Sequence, residues 1–221
     1  MNETTGPASI VVLSAGVSEG STTRLLGERL GRATVERLTE EGVAAEARIV
    51  DLAPLAVDTA RAIVSGLSSP ELEAATAIVT SADALVLATP VYKAGVSGLM
   101  KSYLDTLDTD ALIAMPAVVG ATGGSPRHAM VPDEQLRPLL AYFRAIAAPT
   151  AVYAAPEDWG DPGLTKRIRR AAIELAALVR ADARAEIVGH AWQGYQHDAV
   201  EGGAIDFDSD LMRLATGGAR V

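Results

Sequence analysis

Cysteine is absent from the 221-residue chain. That excludes a disulfide framework and any thiolate metal site, so redox chemistry in this protein needs a bound cofactor. Aromatic residues make up only 4% of the chain, although 49% is hydrophobic. The apolar content is mostly Ala and Val, which suits helices packed tightly on a sheet better than an aromatic-rich all-β core. Positive charge is scarce, with 19 Lys and Arg against 28 Asp and Glu, a net charge of −9. Nucleic-acid binders are normally basic, because they neutralise phosphates, so no nucleic-acid partner is expected.

Long hydrophobic runs are missing too. None approaches the roughly 18 residues of a membrane span, so no membrane partner is expected. Residues 1–9 lack the basic region and apolar stretch of a secretory signal, and a cytoplasmic location is expected. Histidine is rare, at three residues. His190 and His197 have no carboxylates at ligand spacing. Asp206, Asp208 and Asp210 alternate like the start of a calcium loop, but its glycine and final Glu are missing. No metal site is expected.

What is present is an alternation of strand-length apolar runs and helical patterns. Strands are expected at 10–13, 45–52, 84–89, 117–121 and 150–153. Helices are expected at 21–41, 70–81, 98–107, 136–147 and 162–184. Residues 53–69 read as an irregular insertion with a short helical piece, 58–64. The strands are short and nearly free of charge, as in a parallel sheet covered on both faces. The order implies a doubly wound α/β fold, a three-layer sandwich with a five-stranded parallel sheet. One domain is expected over residues 1–189. Residues 190–221 form a Gly- and Asp-rich tail, read either as partly disordered or as packing on another subunit.

Ligands in such a sheet bind beyond the carboxyl ends of the strands, and three loops lie there. The first contains Ser14, Gly16, Ser18, Gly20, Ser21, Thr22 and Thr23 ahead of a helix. Hydroxyls and free N–H groups at a helix start make an anion site and suit a terminal monophosphate. The same residues also read as ordinary capping by Ser21 or Thr22. The loop matches neither the triphosphate-binding nor the dinucleotide-binding glycine pattern.

The second loop runs Thr89-Pro90-Val91-Tyr92-Lys93-Ala94-Gly95-Val96-Ser97-Gly98. Pro90 is expected to end the strand, and Gly95 and Gly98 to let backbone approach a flat ligand beside Tyr92. Lys93 offers a cation, and Lys101 and Asp105 are spaced to pair on a helix. The third loop runs Thr122-Gly123-Gly124-Ser125-Pro126-Arg127-His128. Its two glycines are expected to expose backbone donors. His128 reads as a catalytic acid candidate, a contact or a structural residue. Arg127 reads as a partner for the phosphate of NADPH or as an exposed loop residue.

The three loops, in this order, resemble the NADPH-dependent FMN reductase family of the flavodoxin-like superfamily. The most specific stretches are Thr89-Pro90-Val91-Tyr92-Lys93 with Ser97-Gly98 and Lys101, then Ala121-Thr122-Gly123-Gly124 with His128 and Leu136-Arg137-Pro138-Leu139. Ala155-Pro156-Glu157-Asp158-Trp159 adds to a likeness with reductases that serve luciferase-like flavin monooxygenases. The resemblance implies FMN phosphate held by Ser14, Ser21, Thr22 and Thr23. It implies a flavin ring contacted by Pro90, Val91, Tyr92, Lys93, Thr122, Gly123 and Gly124. It further implies hydride transfer from NADPH or NADH, a flavin-dependent monooxygenase as recipient, and a homodimer or homotetramer. A quinone or azo reductase and a flavodoxin-type electron carrier are the alternatives.

Overall fold

Every residue from Ile10 to Leu13 is fully buried, yet the four face two different cores. Side chains alternate across a strand, so Ile10 and Val12 join one apolar cluster and Val11 and Leu13 the other. That pattern is the signature of a sheet covered on both sides. The structure is a computed structural model and describes residues 6–191. The predicted tail from residue 192 on, with its His197, Asp206, Asp208 and Asp210, lies outside the described residues.

The elements in chain order are β1 (Ala8–Ser14), α1 (Thr22–Glu40), β2 (Ala45–Asp51), α2 (Ala56–Ser65), α3 (Pro70–Thr80), β3 (Ala84–Tyr92) and β4 (Gly95–Val96). They continue with α4 (Gly98–Asp105), β5 (Pro116–Thr122), α5 (Arg137–Tyr142), β6 (Ile146–Ala147), β7 (Val152–Ala154), α6 (Pro162–Arg180) and α7 (Ala183–Ala191). The sheet order is β2-β1-β3-β5-β6, with β7 also on β5 and β4 on β3. All pairs are parallel except β3 with β4. This is the five-position order of the expected flavodoxin-like sandwich. Residues up to Glu186 form one unit, and a second begins at Ile187.

The fifth position is split. β6 pairs with the start of β5 and β7 with its end. The expected helix at 136–147 stops at Tyr142, because Arg144 takes a left-handed conformation (φ 58°) and the chain turns into β6. Pro149 interrupts the edge, and Arg137 takes the freed carbonyls of Ala148 and Pro149 at 2.7 and 2.6 Å. The helix expected over 162–184 is likewise broken, by Asp182 at φ 48°. The 53–69 insertion is more ordered than expected, with a full helix over Ala56–Ser65.

α1 and α6 cover one face, contributing Leu26, Leu30, Leu164, Ile168 and Leu175. Leu72 of α3, Met100, Tyr103 and Leu104 of α4, and Leu140 of α5 cover the other. α1 lies unusually close to the sheet. A Cβ on Gly27 would come within 2.7 Å of Val12 Cγ1, and one on Gly31 within 2.7 Å of Val12 Cγ2. These two glycines set the depth of α1 and bring its first turn to the carboxyl edge of β1. Among the described residues, no helix is long and apolar enough to cross a membrane.

Candidate functional site

Ser14 closes β1 and is fully buried. Its Oγ accepts from the Gly16 N–H at 3.4 Å, so it shapes the loop from beneath. The chain reaches α1 through Ser21, which is the N-cap: its Oγ accepts from the Arg24 N–H at 3.3 Å. The capping reading of Ser21 is therefore correct. It does not exhaust the anion reading, because the N–H groups of Thr22 and Thr23, the first two residues of the helix, have no acceptor within it. Gly16 fits only because it lacks a side chain, since a Cβ there would overlap Ser21 Oγ and lie 2.9 Å from Ser21 Cβ.

Arg24 is the nearest cation in sequence, but its guanidinium pairs with Glu28 at 2.8 Å and with Asp51. The hydrogen bond to Glu28 and then the charge of Asp51 raise its pKa. Thr23 Oγ1 lies 2.6 Å from Thr122 Oγ1, and both are buried. That contact joins the first loop to the third.

The second loop differs from expectation. Pro90 does not stop β3; it pairs in register with Thr122, and the strand continues to Tyr92. Val91 and Tyr92 then pair with Val96 and Gly95 of β4, an antiparallel hairpin that the sequence reading missed. Its two-residue turn, Lys93 and Ala94, has φ of 50° and 65°. Hairpins favour such turns because they match strand twist, but non-glycine residues adopt them at a cost.

Two clamps hold this hairpin. Thr89 Oγ1 accepts from the Ser97 N–H at 3.1 Å. Gln135 Oε1 accepts from the Val96 N–H at 2.8 Å, and its Nε2 donates to the Ala94 carbonyl at 3.2 Å. Gln135 belongs to a π-helical turn, Pro132–Leu136. Its role had no signal in the sequence, because it depends on the turn that aims it. Lys93 sits exposed at the hairpin tip and does not line the cleft; nor do Gly95 and Gly98. Lys101 and Asp105 do pair, at 2.5 and 2.7 Å.

In the third loop, Gly123 is not the free donor expected. Its N–H goes to the Ala154 carbonyl at 3.2 Å. Gly124 is exposed, lines the cleft, and has no hydrogen-bond partner for its N–H among the described residues. Arg127 and His128 follow on a 3-10 turn, Pro126–His128, away from the cleft lining.

A fourth wall comes from the turn after β7, where Ala154, Pro156 and Trp159 line the cleft. Asp158 organises that turn. Its carboxylate accepts from the Ala155 N–H at 2.8 Å and pairs with Arg167 at 2.7 Å. Burial pushes its pKa up, but the Ala155 and Arg167 bonds outweigh that and leave it lowered. The Arg29 guanidinium lies 5.9 Å from the Trp159 ring centroid. No spacing rule in the sequence would have placed Trp159 beside the first loop.

These walls enclose a cleft of about 430 Å³, within the usual range for cofactor sites. Ser21, Thr22, Thr23, Pro90, Val91, Tyr92, Thr122, Gly123 and Gly124 line it together, joined by Gly16, Val17 and Ser18. Of the residues expected to meet the cofactor, Ser14 and Lys93 do not line it. Among the described residues, no charged side chain lines it. The cleft can hold an anion through N–H groups, hydroxyls and a helix start, next to a flat surface of proline, valine, tyrosine and glycine.

Residues 8–160 match the family of NADPH-dependent FMN reductases. The chain is 35% identical to an FMN reductase (NADPH) of Pseudomonas aeruginosa over 78% of its own length and 90% of the relative. It is 36% identical to the NADH-dependent FMN reductase SfnF of Pseudomonas fluorescens, over 77% and 89%. Among solved structures, an oxidoreductase from Corynebacterium diphtheriae superposes with a TM-score of 0.76 at 42% identity, covering 79% of this chain and 98% of that one.

Proposed function

Because the chain belongs to the NADPH-dependent FMN reductase family, we propose that it transfers hydride from NADPH, or NADH, to FMN and supplies reduced flavin to a flavin-dependent monooxygenase. The observation that carries this reading is that the family's segment, residues 8–160, brings four strand-end loops into one uncharged cleft beside the start of α1. The donor set fits FMN. The unused N–H groups of Thr22 and Thr23 and the hydroxyls of Ser21, Thr22 and Thr23 suit a monophosphate. The cleft's volume suits a flat tricyclic ring.

When bound, FMN supplies the ring position that accepts hydride. The protein orients and excludes. Pro90, Val91 and Tyr92 form one wall for the ring. Thr122, Gly123 and Gly124 form another, with the Gly124 N–H as the donor to the end of the ring where reduction places negative charge. Ser14 acts from below through the Gly16 N–H, and Lys93 stands at the rim. No protein acid is required for hydride transfer, and His128 lies off the cleft lining. Arg127, on the same loop, is the proposed contact for the 2′-phosphate of NADPH.

The protein is proposed to act in the cytoplasm as a homodimer or homotetramer. The family match favours the reductase over an electron carrier, which has no use for a nicotinamide. The test is aerobic NADPH consumption by flavin-free protein, with NADH run beside it. Saturable dependence on added FMN is expected; a rate independent of FMN overturns the reading.

A further inference from the structure

Tyr153 is a buried phenol that hydride transfer does not use. It lies on β7, only 8% exposed, and its ring forms a small cluster with Ala121 and Ala155, with Val91 packed against it. Its hydroxyl donates to the Ser125 carbonyl at 2.6 Å. Gly123 rests directly on it: a Cβ there would overlap the phenol oxygen and lie 3.2 Å from Cζ. The Gly123 N–H is tied to Ala154, the residue after Tyr153, at 3.2 Å. The loop is thus fixed on both sides of Gly124, at 123 and at 125, and of the two glycines lining the cleft Gly124 is the one whose N–H is unpaired among the described residues. A Cβ at Gly124 would meet nothing within 4 Å.

We propose that Tyr153 is a positioning residue that holds the Gly123–Ser125 loop so that the Gly124 N–H serves reduced FMN better than oxidised FMN. The inference rests on the cleft being the FMN site. A hydrogen bond to a developing negative charge is worth more than one to a neutral acceptor, but only if the donor is held where the charge appears. Three ties do this, and two run through Tyr153. Burial first, then the charges of Asp158 and Glu157, raise the phenol's pKa, which keeps it a protonated donor. Val91, from the Pro90–Tyr92 wall, packs against the same small cluster, so the two walls share this piece of core.

The test is Tyr153→Phe, which keeps the ring and removes the hydroxyl. Flavin titrations on the full chain give the affinities for oxidised and, anaerobically, reduced FMN. Reduced FMN is expected to lose about tenfold more affinity than oxidised FMN, equivalent to a bound-flavin potential about 30 mV more negative. Equal loss in both redox states means mere structural support and overturns the proposal, as do unchanged affinities. Gly123→Ala attacks the same contact from the loop side and serves if Tyr153→Phe does not fold. It is expected to show the same redox bias, and a smaller effect in the Tyr153→Phe background. If the unaltered chain binds no FMN, the functional reading itself fails, an outcome distinct from a variant without bias.

Discussion

Thr23 Oγ1 and Thr122 Oγ1 lie 2.6 Å apart and both are buried, so the first turn of α1 is hydrogen-bonded to the last residue of β5. The contact links the proposed phosphate end of the cleft to its ring end. Thr122→Val leaves the Thr23 hydroxyl buried without this partner, a loss of about 1–3 kcal/mol in stability. Thr23→Val with Thr122→Val should cost less than the two single changes summed, because no orphaned hydroxyl remains. Urea denaturation of the three variants checks this; strict additivity would contradict it.

Substitutions at Gly16 and Gly124 should both weaken FMN binding but differ in their effect on stability. A side chain at Gly16 overlaps Ser21 Oγ. Gly16→Ala is therefore expected to displace the cap, costing about 1 kcal/mol of stability and weakening FMN. A side chain at Gly124 meets no protein atom within 4 Å. Gly124→Leu should melt like the unaltered protein yet lose FMN binding, because the leucine occupies the cleft. Thermal melts and flavin titrations separate the two, and undiminished FMN affinity in Gly124→Leu would contradict the placement of the ring.

The depth of α1 gives a third prediction. Gly to Ala within a helix normally gains about 1 kcal/mol, but at Gly31 the new Cβ lies 2.7 Å from Val12 Cγ2. Overpacking of that kind costs about 1–3 kcal/mol, so Gly31→Ala should destabilise. In a Val12→Ala background the clash is gone, and the same change should stabilise. A change of sign in the urea midpoints is the expected result.

Asp158 supplies a pH dependence. Its pKa is lowered in the folded state, where the Ala155 N–H and Arg167 outweigh burial. A depressed carboxyl contributes stability that is present above its unfolded pKa and is lost as pH falls through the folded value. The wild type should therefore lose stability below about pH 4, and Asp158→Asn should lack that component. Denaturation across the acid range reads the difference. Trp159 lies in the same turn, and its fluorescence should shift with it.

Much of this was legible in the sequence, and the failures have physical causes. Apolar runs located the parallel strands because both faces of this sheet are covered. Ser21, Thr22 and Thr23 were readable because helix starts need hydroxyls. Pro90 misled, because a proline that loses one N–H is tolerated where the strand leaves the sheet's interior. The β4 hairpin was hidden, because its turn uses Lys93 and Ala94 rather than the glycine or asparagine that signals such turns. Gly123 looked like a free donor, and only the fold shows Ala154 taking its N–H. Gln135, Tyr153 and Trp159 are distant in sequence from the loops they hold or flank, and no local pattern announces a tertiary clamp.

The most direct test of the central claim is a single turnover without oxygen. FMN-loaded protein is mixed with NADPH, and the absorbance of oxidised flavin is followed. The account predicts that the flavin bleaches at least as fast as steady-state turnover, with one NADPH consumed per FMN reduced. Flavin that stays oxidised in the presence of excess NADPH and NADH would contradict it.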